Sequence, residues 1–315
     1  MTQALSRPAR PADSVMTGIL LMLAFCVLAP LLDTASKLAT ATIPVGQITA
    51  ARFLVQGVLM VPVALVMGLG WSVSRRNAGL LTLRAVFLIA STYGFVAGVQ
   101  VMPIADALAI VFVEPFILLI LGHYIFGDHI GPRRIIASVV GFAGCLLVIQ
   151  PSLAAFGLAA LFPLISAFAF AGYMLVTRAM SGGVHPVMQQ LHTSIIGSAI
   201  CLPVVALADV TQWPTLDPVM PQGWAWLWLF GVGFWAAASH MCMTVALKFA
   251  PASTLAPIHY LEIITAVFLG YVVFGDFPNA LTFTGIAIIV ASGLYIIARE
   301  RATAGTARAE LPPDI

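Results

Sequence analysis

The sequence predicts an all-α integral membrane protein of ten transmembrane helices, arranged as two inverted five-helix repeats. Three observations carry that prediction. The 315 residues are 61% hydrophobic and only 8% charged, whereas soluble domains carry about 25% charged residues, so charge is too scarce to cover a soluble surface. Apolar stretches recur at the length of roughly 20 residues that a spanning helix needs. A stretch in the first half of the chain, VMPIADALAIVFVEPFILLILGHYIFGD (Val101–Asp128), is echoed in the second by FAPASTLAPIHYLEIITAVFLGYVVFGD (Phe249–Asp276).

Taken in order, residues 1–15 form a polar cytoplasmic tail. The first apolar stretch, 16–39, is too long for a signal-peptide core and continues into Asp33 and Lys37 without a cleavage site, so it reads as a span. Further spans are expected at 45–68, 79–100, 104–126 and 132–150, closing the first repeat (16–150). The second repeat (157–299) holds spans at 157–179, 187–208, 223–247, 252–274 and 280–299, and 300–315 is a second cytoplasmic tail. With the N-terminus in the cytoplasm, Arg7, Arg10, Arg75, Arg76, Arg84, Arg133, Arg134, Arg178, Lys248, Arg299, Arg301 and Arg308 all fall on or near that side, a positive-inside pattern. Lys37 and Arg52 flank the short external link near Thr40–Pro44, as snorkelling anchors or as cavity cations. The four cysteines, all within spans, read as small apolar packing residues.

The echo has an offset of 148: Pro103 with Pro251, Glu114 with Glu262, Phe126-Gly127-Asp128 with Phe274-Gly275-Asp276. The starts of the halves match at 141 or 142: Lys37 with Arg178, Pro44-Val45 with Pro186-Val187, Pro62 with Pro203. A unit of five spans makes its copy enter from the opposite face, giving a pseudo-two-fold axis in the membrane plane. Each glutamate lies eleven residues into its span, or ~16 Å deep, near the middle of a ~30 Å core. That is where inverted-repeat carriers hold substrates and coupling ions.

Ten spans in two repeats, a Pro-led fourth span with a mid-span Glu, and a closing Phe-Gly-Asp resemble the EamA family of the drug/metabolite transporter superfamily. The family's usual Leu-Gly-Glu at that span end is here Phe-Gly-Asp, which keeps the acid. The resemblance implies a secondary carrier whose first, third, fourth, sixth, eighth and ninth spans line a central cavity. The segment Ala256–Pro278 is similar to the riboflavin and S-adenosylmethionine uptake subgroup.

An ionised group at the bilayer centre costs roughly 2.5–3.5 kcal/mol on insertion scales, so Glu114 and Glu262 need a cavity, a partner or a proton. His259 is three residues before Glu262 and shares its face, and Tyr260 borders it. Pro115 and Pro257 deprive the carbonyls of Val111 and Ser253 of their helical donors. Asp33 and Lys37, at i and i+4, form either an internal pair or a pair that substrate divides. Span three offers Tyr93 and Gln100; span six a stripe of Ser166, Phe170, Tyr173 and Thr177; span eight Trp235, Ser239, His240 and Thr244. Gln189, Gln190 and His192 lie in a seventh span expected to be peripheral. Aromatic groups from several spans suit a flat aromatic solute.

The expected function is secondary transport of a small organic metabolite across a bacterial inner membrane by alternating access. Uptake of riboflavin or a similar aromatic metabolite leads; S-adenosylmethionine uptake and amino-acid or metabolite export are alternatives. An intramembrane enzyme using Glu114 and Glu262 as an acid–base pair, or a non-transporting scaffold, are the readings of another class. The chain contains no phosphate-binding loop and no H-E-x-x-H zinc motif, so no cofactor and no metal are expected. The partners expected are a small-molecule substrate and membrane lipid, with a homodimer left open and no nucleic acid.

Overall fold

The computed structural model describes residues 12–127, 131–149, 156–211 and 216–275, and parts of 280–298. The aspartates of both Phe-Gly-Asp motifs lie outside the described residues. Within them the chain is helical throughout, with no strand. The elements are α1 (Ala12–Ala39), α2 (Val45–Val66), α3 (Arg75–Val101), α4 (Ile104–Val111), α5 (Glu114–Phe126), α6 (Pro132–Ile149), α7 (Leu161–Met180), α8 (Pro186–Thr211), α9 (Ala225–Phe249), α10 (Ala252–His259) and α11 (Glu262–Leu269). A π-helical turn, Gly270–Phe274, extends α11. Among the described residues, six helices are long and apolar enough to cross a membrane, and shorter apolar helices accompany them.

The outer faces are apolar: Val58, Val66, Phe268 and Tyr124 are largely exposed, as lipid-facing side chains of a multi-pass protein should be. Trp224, Trp226 and Trp228 cluster where α9 begins, the placement expected of an interfacial aromatic belt. The segment leading into α9 is held by a two-way amide contact. Gln47 Nε2 donates to the Val219 carbonyl at 2.8 Å, and the Val219 amide donates to Gln47 Oε1 at 2.9 Å.

The main packing pairs join the early part of the chain to the late part: α1 on α9, α3 on α7, α2 on α8. Glycine makes these approaches close. A Cβ added at Gly94 of α3 would lie 2.7 Å from the Phe162 carbonyl of α7, and one at Gly18 of α1 2.7 Å from Ala250 Cβ.

Two expected spans are not continuous. The stretch 104–126 breaks at Phe112-Val113, directly before Glu114, and 252–274 breaks at Tyr260-Leu261, directly before Glu262. At the first break Pro115 withholds the donor that the Val111 carbonyl needs. At the second, α10 runs through Pro257 and ends two residues beyond it, so the proline is not itself the hinge. The joint there is closed by tighter i to i−3 bonds, Leu261 N–H to Ile258 O and Ile263 N–H to Tyr260 O. Each glutamate thereby opens a half-helix, where the positive end of the backbone dipole favours a carboxylate.

Candidate functional site

The two half-helix starts meet at one imidazole. His259, the last residue of α10, sets Nδ1 2.8 Å from Glu114 Oε2 and Nε2 2.7 Å from Glu262 Oε2. All three side chains are buried. Each short contact between a ring nitrogen and a carboxylate oxygen requires one proton. The three groups therefore share two protons and carry one net negative charge, wherever those protons sit. Cys26 of α1 points its thiol at the Ile258 and His259 carbonyls, 3.5 and 3.8 Å away. It meets acceptors at the end of a broken helix, so it is more than the apolar filler expected of it.

Beside the triad lies a cavity of about 70 Å³. Its polar lining includes Asp33, Ser36, Arg52, Thr92, His240, His259 and Glu262, and its aromatic walls include Phe25, Phe112 and Phe170. Phe25 and Phe170 are stacked with centroids 6.3 Å apart, and Phe25 meets the His259 ring edge-on at 5.2 Å. Arg52 is buried here, lines the cavity and brings its Nη2 2.7 Å from His240 Nε2. A guanidinium can only donate, so Nε2 is the acceptor and Nδ1 carries the N–H. That N–H faces the Tyr173 hydroxyl at 3.1 Å.

Tyr173 in turn accepts from Arg84 Nη2 at 2.8 Å. Arg84, expected on or near the cytoplasmic side, is fully buried. All five of its N–H groups are used: Nε on Thr177 Oγ1, Nη1 on the Gln189 carbonyl and Thr193 Oγ1, Nη2 on Tyr173 and Thr244. Its plane also lies 4.5 Å from the Tyr173 ring centre. Every acceptor is neutral, so the charge is solvated by hydroxyls and a carbonyl rather than paired with an acid. The seventh expected span, α8, is correspondingly not peripheral. Gln190 accepts from Gln56 at 2.9 Å and donates to Thr244 at 3.0 Å, tying α8 to α2 and α9. Sequence reading missed Arg84 because a basic residue nine positions inside a helix near a basic turn looks like a topological signal. The hydroxyl stripe of Tyr173 and Thr177 was the available clue.

Not every expected site residue converges. Tyr93 and Gln100 line a separate 400 Å³ pocket with Thr40, Thr42 and Phe162, on another side of α3. Trp235 packs against Phe234, centroids 5.0 Å apart, outside the cavity lining. Tyr260 turns away to pack on Gly141 of α6, where an added Cβ would be 2.8 Å from Tyr260 Cδ2. Lys37 donates to the Met102 carbonyl at 3.2 Å and lies 4.8 Å from the Phe274 ring centre. Its counterpart Arg178 lies 4.5 Å from the ring centre of Phe126. Asp33, Arg52, His240, His259 and Glu262 thus line one cavity, Glu114 and Tyr173 support it, and Tyr93, Gln100, Trp235, Tyr260 and Lys37 do not.

Among proteins of known function, the chain is similar to a riboflavin transporter of Rhizobium johnstonii, 26% identical over 69% of this chain and 69% of that protein. It is similar to an S-adenosylmethionine uptake transporter of Rickettsia prowazekii, 23% identical over 91% and 94%, and to a riboflavin transporter of Vibrio cholerae, 27% identical over 81% and 83%. A solved crystal structure superimposes with a TM-score of 0.73 at 16% identity, covering 93% of this chain and 99% of the other, a likeness of fold alone. The description "EamA-like transporter family" matches residues 16–150 and again 157–298. With nearly the whole length accounted for by those two matches, the chain belongs to the EamA-like transporter family.

Proposed function

We propose that this protein is a secondary carrier that moves a small organic metabolite across a bacterial inner membrane by alternating access, through the cavity bounded by Asp33, Arg52, His240, His259 and Glu262. The observation that carries the reading is a buried polar chamber flanked by two matching cation–ring contacts. Lys37 on Phe274 and Arg178 on Phe126 pair repeat-equivalent residues in crossed fashion, each joining one half to the other. In the inverted topology these contacts fall at opposite membrane faces, one latch per side. Both are closed here, and the cavity of about 70 Å³ is far below the ~300–1,000 Å³ of ordinary ligand pockets.

The ten-span inverted repeat, with both termini cytoplasmic, belongs to the same reading. The pairings of α1 with α9 and α3 with α7 exchange under it, and α2 with α8 lies on its axis. Relatives named for riboflavin and for S-adenosylmethionine support those two solutes equally, and the name of the second supports uptake as the direction. Purified protein in liposomes should accumulate one of them as labelled solute, and Glu114→Gln and Glu262→Gln should each lower the rate more than about tenfold by unbalancing a buried charge set. No flux over a broad metabolite panel would defeat the carrier reading, and flux indifferent to both substitutions would remove the glutamates from it. The enzyme reading is disfavoured by geometry: both carboxylates are engaged by one histidine rather than set across an open space for a reacting bond.

A further inference from the structure

The 400 Å³ pocket beside α3 has no part in the carrier reading. It shares no lining residue with the central cavity. Helix α3 turns Thr92, Phe95 and Val96 to the chamber and Tyr93, Ala97 and Gln100 to the pocket, so an occupant would not stand in the passage. The other walls are the α1–α2 link and the segment that leads into α7. On the proposed orientation this is the outer mouth. Its volume falls within the ~300–1,000 Å³ of ordinary ligand pockets, as that of the chamber does not.

The walls are fixed by the fold. The link is bonded back to α1: the Thr40 N–H donates to the Ser36 carbonyl at 3.0 Å and the Ile43 N–H to that of Ala39 at 2.9 Å. Opposite it, α3 and α7 are in near-backbone contact. A Cβ added at Gly98 would lie 2.6 Å from Pro163 Cγ, and one at Gly94 2.7 Å from the Phe162 carbonyl. That packing holds Tyr93 and Phe162, one ring from each helix, at the same pocket. Its polar groups remain available: among the described residues the side chains of Thr42, Tyr93 and Gln100 take no hydrogen-bond partner. The repeat does not copy them in full. At the offset of 142 that aligns Pro44 with Pro186, Thr40 and Thr42 fall opposite Gly182 and Val184. Groups that served only the repeated frame would be expected at both mouths.

The lining also selects against charge. None of its residues is an acid or a base, and Lys37, one turn before the link, already engages the Met102 carbonyl and the Phe274 ring. A charged group would lose hydration there and gain no counter-charge. Tyr93 and Phe162 offer flat apolar faces, while the Gln100 amide and the threonine hydroxyls offer both donors and acceptors.

We propose that this pocket is a second binding site, for an uncharged solute that joins a flat ring to hydroxyl or amide groups, as a nucleoside does, and that its occupant holds the outer latch shut. The pocket spans the same seam as the latch. Lys37 joins the end of α1 to the Met102 carbonyl just past α3, and Thr40 Oγ1 donates to the Lys37 carbonyl at 2.7 Å. A solute bound to Thr40 and Thr42 on one side and Gln100 on the other adds bonds across that seam. The inference rests on the carrier reading for the latch and its outer position, and on the pocket alone for the binding.

The test uses two single-cysteine additions, Thr42→Cys in the exposed link and Ser36→Cys in the chamber, labelled by a thiol reagent in purified protein, with mass spectrometry locating the adduct. The probes are uridine, adenosine and riboflavin, each set against its monophosphate. At least one uncharged probe should protect position 42 saturably, and its monophosphate should need more than about tenfold higher concentration. Gln100→Ala, at an exposed position, should weaken that protection about fivefold. The same probe should slow labelling at position 36, and Gln100→Ala should abolish the slowing at the same concentration, which a solute sitting in the chamber itself would not require. No protection by any uncharged probe, equal protection by the monophosphates, or labelling at position 36 that ignores the probe or Gln100 would overturn the proposal. Slow labelling of position 42 without any probe, relieved by stripping lipid, would give the pocket to a lipid instead. Protection at position 42 without flux of any metabolite in liposomes would defeat the carrier and leave the site; flux without protection would do the opposite.

Discussion

His259 holds a position that charge alone does not explain. It stands between two carboxylates drawn from distant parts of the chain, and each of its nitrogens is spent on one of them. A set of three groups sharing two protons can take up or release one more as its surroundings change, so it is suited to carrying protons with solute. An inward proton gradient should then raise uptake into liposomes and an uncoupler should lower it; a rate indifferent to both removes coupling. Arg84 makes the contrasting case, a cation whose every N–H is met by a neutral oxygen. Lysine supplies only three donors from a single point, so Arg84→Lys strands at least two acceptors and should lower stability by about 2 kcal/mol, read as an earlier thermal transition in detergent. The rarity of charge in this sequence made Glu114, Glu262, His259 and Asp33 visible at once. Arg84 escaped because composition shows which residues are costly to bury, and only the packing of α3 against α7 and α8 shows which are buried.

Helices that break at equivalent places place chemistry at mid-depth without a loop. The glutamates were legible from the repeat, but the breaks were only half legible. Pro115 pointed to one, whereas the other falls beyond Pro257 at a joint made by turn-type backbone bonds. The faces of α3 were misread for a related reason. Tyr93 and Thr92 are adjacent in sequence and therefore about 100° apart; the structure gives Thr92 to the central cavity and Tyr93 to the outer pocket. The end of each broken pair carries the ring of a latch, and these contacts set how readily each side opens. A cation over an aromatic face contributes on the order of 1 kcal/mol. Phe274→Ala should therefore speed labelling of a cysteine introduced at cavity residue Ser36 by an impermeant thiol reagent about fivefold from the outer face, and Phe126→Ala should speed it from the inner face. Mass spectrometry localises the adduct, and equal labelling from both faces in both variants would refute the assignment.

Across the whole molecule, the strongest packing never stays within one half: α1 lies on α9, α2 on α8, α3 on α7. Neither half has a finished interior without the other. Fragments 1–153 and 154–315 produced alone should be degraded, while the two produced together should reassemble and regain transport, measured as uptake by cells expressing both. The two-fold pattern behind this was readable from spacing, since the Glu, Pro and Phe-Gly-Asp matches recur at constant offsets. The partner choice of each helix was not, because an apolar surface facing lipid and one facing protein have the same composition. The crossed pairing also bears on ancestry. On the proposed inverted arrangement, a forerunner with a single set of five spans closes such a bundle only by inserting both ways up and joining with its own upside-down twin. Fusion of two such copies would free each half to drift, and Asp33 and Arg52, which fall opposite Met174 and Ser194 at the offsets that align Lys37 with Arg178 and Pro44 with Pro186, are the kind of residue that such freedom allows.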